Sequence, residues 1–112
     1  AVSAECAKEM SEKALMLLKV SYSVAITGIA GPSGGTESKP VGTVFISVSG
    51  ISHASDKEIK NETGATANIS TLIFHHDFSS LKTREQIQLA ASIQANKNLQ
   101  QFISEHHLQQ KI

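Results

Sequence analysis

Apolar positions fall into five blocks, separated by stretches in which glycine, proline or polar residues dominate. Ser3 is placed to cap a helix, with Glu5 in its first turn, and Cys6, Met10, Ala14, Leu17 and Leu18 then recur at helical spacing between Lys8, Glu12 and Lys13. This spacing predicts an amphipathic helix over 4–20 with that stripe buried. Tyr22 to Thr27 is β-prone and ends at Gly28, so it predicts a strand that delivers its C-terminal end to a loop. Residues 28–40 are too rich in glycine and proline for a regular element. Val41 to Val48 predicts a second strand, with Val44, Ile46 and Val48 on one face and Thr43, Phe45 and Ser47 on the other. Residues 49–65 are polar and read as an irregular excursion, including the mixed-charge run Lys57 to Glu62. A third strand is expected from Ile69 to Phe74, running into His75.

Thr83 and Gln86 have the spacing of a capping box and open a long helix that is expected to reach about Glu105, with a fraying tail from His106 to Ile112. Its apolar residues form two arcs: Ile87, Ala91, Ala95, Leu99 and Phe102 on one, Leu89 and Ile93 on the other. A helix that is apolar on two sides packs between partners, within a layered domain or across a subunit interface. The order is helix, strand, strand, strand, helix: a small α/β domain of two or three layers.

Composition narrows the chemistry. The 112 residues allow one small domain, and ten basic and ten acidic side chains cancel. No global field draws in nucleic acid or an anionic membrane, so an anionic ligand would be held by local geometry. No apolar run is long enough for a membrane span, and no basic segment followed by an apolar one opens the chain. Cys6 is the single cysteine, which excludes an internal disulfide and fits a reducing cytoplasm.

The stretch from Thr27 to Gly35, Thr-Gly-Ile-Ala-Gly-Pro-Ser-Gly-Gly, is the main candidate site. A strand ending in a hydroxyl residue and followed by glycines lets backbone N–H groups converge on an anion. The glycines alone favour a plain turn over an anion site. The loop lacks the spacing and the lysine of a P-loop. The longer pattern is more specific: Thr27-Gly28-Ile29-Ala30-Gly31-Pro32, Gly34-Gly35, then Lys39-Pro40-Val41-Gly42-Thr43-Val44, closely resembles the signature of the CinA C-terminal domain family. Ala1-Val2-Ser3 ahead of the first helix and Arg84-Glu85-Gln86-Ile87 at the start of the last extend the resemblance over most of residues 1–103.

That family includes nicotinamide mononucleotide deamidases, which convert the carboxamide to a carboxylate with release of ammonia, a step in pyridine nucleotide salvage. The resemblance implies a serine nucleophile activated by lysine and tyrosine, and no cofactor or metal. By position it implies Thr27 as an active-site hydroxyl, Gly28, Ala30, Gly31, Gly34 and Gly35 as the substrate-binding loop, and Arg84 as a fork for phosphate or carboxylate. The family often carries a second arginine one turn on, where this chain has Gln88. The family's serine lies in a Glu-Ser-Cys-Thr-Gly-Gly motif, which occurs nowhere in these residues. The expectation is one domain over 1–112, cut on its N-terminal side: the C-terminal part of the amidohydrolase, or a non-catalytic remnant or binding module. Such a piece leaves a sheet edge and a helix face uncovered, so either a homo-oligomer burying Leu89 and Ile93 or a missing complementary segment is expected.

Three local alternatives carry less. Gly31-Pro32-Ser33-Gly34-Gly35 fits the G-x-S-x-G elbow, but that motif needs a helix after the turn and here another strand follows. Tyr22 beside Lys19 could mimic an activating pair, and reads more simply as a strand-edge tyrosine. His75-His76-Asp77 and Glu105-His106-His107 pair histidines that a strand or helix would direct apart, so no metal site is expected, and His53 stands alone in a polar loop.

Overall fold

The computed structural model describes residues 2–37, 39–51 and 69–111, the last six of these by backbone alone. Helix α1 spans Ala4–Leu18, strands β1, β2 and β3 span Tyr22–Gly28, Thr43–Ile51 and Ile69–Asp77, and helix α2 spans Arg84–Lys111. The three strands form one antiparallel sheet with β2 in the centre. One helix packs on each face, which makes the domain a three-layer α/β arrangement.

Register decides what each face carries. Val44, Ile46 and Val48 of β2 are buried on one face, where Ile87, Ala91, Ala95 and Phe102 of α2 complete the core. Ser47 and Ser49, on the alternate face, are buried to the same degree beneath α1. The central strand is therefore covered on both sides, and its polar positions are interior too. The expected alternation is present, but it separates an aliphatic face from a hydroxyl face.

This explains a correction at α1. The buried line of the helix is Ala7, Ser11 and Leu15, whereas Met10, Leu17 and Leu18 are 44%, 79% and 69% exposed. A reading based on hydropathy selects the largest apolar residues. The sheet face opposite is lined with serines, so the helix presents small and hydroxyl-bearing residues to it. Ser11 Oγ lies 2.8 Å from Ser47 Oγ and 2.7 Å from Ser49 Oγ, Ser49 Oγ lies 2.9 Å from Thr71 Oγ1, and the Thr71 hydroxyl donates to Glu12 Oε2 at 2.7 Å. Because the carboxylate only accepts, Thr71 gives its proton to Glu12 and accepts from Ser49. The single Ser11 proton is shared between Ser49 Oγ and the Lys8 carbonyl, 3.2 Å away, and Ser47 donates to Ser11.

Several boundaries shift for identifiable reasons. Helix α1 stops at Leu18 because Lys19 turns into the left-handed region at φ 54° and its N–H caps the Leu15 carbonyl. Strand β2 begins at Thr43 because Gly42 adopts φ 102° in a turn where a Cβ would come within 2.5 Å of the Ser79 nitrogen. It continues through Ser49 to Ile51, since the serines are buried beneath α1. Strand β3 extends to Asp77. Helix α2 runs on to Lys111, past the expected end near Glu105, because neither glycine nor proline interrupts the segment. Residues 52–68, with His53 and the Lys57–Glu62 run, lie outside the described residues, as do the side chains of His106 and His107.

Candidate functional site

Strand β1 ends at Gly28 and the chain enters the glycine loop, whose two ends are joined by short bonds. Ile29 N–H donates to the Thr43 carbonyl at 2.9 Å, and Gly42 N–H donates to the Ile29 carbonyl at 2.7 Å. The outer part of the loop is stitched by Thr36 N–H to the Lys39 carbonyl at 2.9 Å, and the Lys39 ammonium ties it to the Val2 carbonyl at 2.7 Å. Gly31 is buried with φ 82°, and a Cβ there would meet Val41 Cγ1 at 2.7 Å, so both conformation and space require glycine. The peptide bond from Gly31 to Pro32 is cis.

Facing this loop is the first turn of α2. The capping box is formed: Gln86 N–H donates to Thr83 Oγ1 at 3.1 Å, and Thr83 N–H donates to Gln86 Oε1 at 3.2 Å. With its cap fixed, the helix holds Arg84 over the loop, and Arg84 Nη1 donates to the Gly31 carbonyl at 3.0 Å. One N–H of the guanidinium is used for this, and the others remain for a ligand.

Between loop and helix lies a cleft of about 190 Å³, lined by Ile26, Gly28, Ala30 and Val44 from the sheet side and by Arg84, Ile87, Gln88 and Ala91 from α2. Most of its wall is apolar. Arg84 and Gln88 are one helical turn apart and supply the polar side chains. The arrangement suits a flat apolar group bearing an anionic substituent.

The structure thus brings together part of the expected set. Gly28, Ala30 and Arg84 line the cleft, and Gly31 is bound to Arg84 at its rim. Gly34 and Gly35 lie farther along the loop and are exposed. Thr27 pairs with Phe45, on the sheet face that carries α1, whereas the cleft opens on the face of Gly28 and Ile26. Ser33 is exposed on the loop. Tyr22 sits at the far end of β1, its ring edge-on to Phe102 at 6.1 Å. In the sequence Gln88 stood out only as occupying the place of a second arginine, and Val44 and Ile87 as members of apolar faces; none of these, nor Ile26, was marked as a wall of the site. The four-residue spacing from Arg84 to Gln88 puts both on the side of the helix that faces the cleft.

The strand histidines diverge as period-two geometry requires. His75 stacks on Phe45 at 4.6 Å on the α1 side, while His76 Nε2 lies 3.1 Å from Asn98 Oδ1 on the α2 side. Among the described residues no group of three His, Cys, Asp or Glu side chains could hold a metal ion. Asp77, at the end of β3, has its carboxyl held below the usual range by the side chain and then the backbone N–H of Ser79, the latter 2.9 Å away.

Comparison with known proteins agrees with the loop pattern. The family model of the CinA C-terminal domain matches residues 1–84. The chain belongs to the CinA C-terminal domain family. A CinA-like protein of Fervidobacterium nodosum is 58% identical over 48 residues, which is 43% of this chain and 12% of that protein. One from Thermotoga neapolitana is 54% identical over 54 residues, 48% of this chain and 13% of the relative. Among solved structures, the competence damage-inducible protein A (ComA) of Klebsiella pneumoniae superposes with a TM-score of 0.68 at 27% identity, covering 93% of this chain and 53% of that one. The competence/damage inducible protein CihA of Agrobacterium tumefaciens gives 0.63 at 30% identity, with 93% and 51% covered. This CinA-family chain therefore spans about half the length of the solved structures it matches. No helix among the described residues is long and apolar enough to cross a membrane.

Proposed function

We propose that the chain is the C-terminal part of a nicotinamide-nucleotide amidohydrolase domain, in which nicotinamide mononucleotide and water give nicotinate mononucleotide and ammonia. The observation that carries this reading is the cleft, with an apolar wall for a planar ring and a guanidinium already docked on the rim of the glycine loop. In this reading Arg84 binds the nucleotide phosphate through its remaining N–H groups, Gly28, Ala30 and Gly31 let the substrate approach the backbone, and Gly34 and Gly35 complete the loop. Gln88 offers the cleft an uncharged amide. Thr27 is proposed as the active-site hydroxyl implied by the family pattern, acting from the α1 side of the strand end. Covalent amide hydrolysis also needs an activated nucleophile and a stabilised oxyanion, and the serine motif is absent from these residues. The 112-residue chain is therefore proposed to bind the nucleotide and to depend on a segment that carries the serine motif for cleavage.

A second reading, a non-catalytic binding module, draws on the same missing serine. The two are separated by an ammonia-release assay with nicotinamide mononucleotide. The 112-residue chain alone is expected to bind it saturably and release no ammonia, and release is expected to appear when a CinA segment carrying the serine motif is supplied. Turnover by the chain alone would refute the division of labour, and binding without turnover in the completed protein would establish the module. We further propose a reducing, cytoplasmic setting for a single domain over 1–112, and association through the outer arc of α2.

A further inference from the structure

We propose that Gln88 makes the cleft selective for a carboxamide over the corresponding carboxylate, and so separates substrate from product in the amide hydrolysis proposed above, on which this inference rests. Gln88 lines the cleft one helical turn from Arg84, and its side-chain amide has no hydrogen-bond partner among the described residues. The other lining residues, Ile26, Gly28, Ala30, Val44, Ile87 and Ala91, bring no side-chain donor or acceptor. The side-chain polarity of the cleft is therefore one guanidinium and one amide. Among the described residues no carboxylate forms an ion pair with Arg84, so its charge is uncompensated.

Placement orders the two polar groups along the helix. Four residues apart on α2, Arg84 and Gln88 share one face and are separated by about 6 Å along the axis. Arg84 is tied to the loop rim by the Gly31 carbonyl, which puts the anionic end of a ligand there. Gln88 lies a turn farther along α2, flanked by Ile87 and Ala91. A planar ring resting on Ile26, Val44 and Ile87 presents its substituent to the Gln88 amide, and one cation matches one anionic group.

Amide chemistry supplies the discrimination. A carboxamide carries both a donor and an acceptor, as the glutamine side chain does, so the two form a reciprocal pair: Gln88 Nε2 donates to the ligand carbonyl, and Gln88 Oε1 accepts from the ligand NH2. A carboxylate only accepts. It keeps the first bond, sets its second oxygen against Oε1 lone pair to lone pair, and adds a negative charge for which the cleft has no second cation. An arginine at position 88 would do the opposite, since two parallel N–H groups favour the carboxylate. With glutamine there, the acid formed by hydrolysis is held less tightly than the amide that gave rise to it.

The test is calorimetric titration of the 112-residue chain with nicotinamide mononucleotide, nicotinate mononucleotide and ribose 5-phosphate, the last reporting the anionic end alone. The amide is expected to bind roughly tenfold or more tightly than the acid. Gln88→Met, a helix-compatible change at an exposed position, is expected to bring the amide to the level of the acid and to leave ribose 5-phosphate unchanged. Gln88→Arg is expected to reverse the order. Equal binding of amide and acid by the unaltered chain, or an undiminished ratio in Gln88→Met, would overturn the proposal and leave the mononucleotide reading standing. If neither mononucleotide binds, that reading fails, and titration with free nicotinamide and nicotinate, followed by the NMR shift of the Gln88 side-chain amide, still decides selectivity. A shift with nicotinamide and none with nicotinate supports it, whereas equal or absent shifts overturn it.

Discussion

Arg84 has two jobs in this fold, and they can be separated by substitution. Its guanidinium bonds the Gly31 carbonyl and also faces the cleft, while its exposure limits how much the bond contributes to stability. Arg84→Ala is expected to lower stability by about 1 kcal/mol, the scale of a solvent-screened hydrogen bond. It is also expected to weaken binding of nicotinamide mononucleotide by roughly tenfold or more, since a charge-assisted fork is lost. Arg84→Lys keeps the charge and loses the planar fork, so binding is expected to fall between the two. Urea unfolding and a ligand titration on the same preparations check both effects. Unchanged binding in Arg84→Ala would remove this residue from the site. The sequence marked Arg84 through the resemblance of Arg84-Glu85-Gln86-Ile87 to the family's arginine-led last helix. Its bond to a carbonyl 53 residues upstream is a tertiary fact that no local pattern encodes.

At the scale of elements, the contact between α1 and the sheet is the least expected feature. It is a chain of hydroxyl groups running from Ser47 through Ser11, Ser49 and Thr71 to Glu12. Ser11→Ala leaves the Ser47 donor buried without its acceptor, and is expected to cost about 1–3 kcal/mol. Adding Ser47→Ala removes the orphaned hydroxyl as well and should recover part of that loss, because deleting both partners is cheaper than deleting one. Urea midpoints at an unchanged m-value test this. A double variant less stable than Ser11→Ala alone would refute the assigned hydroxyl order. Helix α2 was far more legible: the arc from Ile87 to Phe102 packs on Val44, Ile46 and Val48 as its spacing implied. The difference is chemical, since an apolar-to-apolar interface leaves a hydropathy pattern and a hydroxyl-to-hydroxyl interface does not.

For the whole molecule, two surfaces remain to be covered, and they face different ways. The outer edge of β1 has no described strand beside it. The outer arc of α2, with Leu89 62% and Ile93 49% exposed, points away from the sheet. Concentration-dependent mass in sedimentation is expected for the 112-residue chain, and Leu89→Glu with Ile93→Glu should abolish it without lowering Tm, because neither side chain is part of the core. A concentration-independent monomer would refute association through α2. Neither surface is charged enough to repel a partner, in keeping with a chain whose formal net charge is zero.

The sequence by itself determined the order of elements, the aliphatic face of β2, the core arc of α2, the capping box and the family-specific loop. Each of these is local, written in side-chain periodicity or in residues that only one backbone conformation tolerates. The tertiary structure alone decided which line of α1 is buried, that Arg84 reaches back to Gly31, and that the cleft opens on the face of Gly28 and leaves Thr27 on the other. Those outcomes depend on register between strands and on which layer covers which face, and neither is fixed until distant segments pack together.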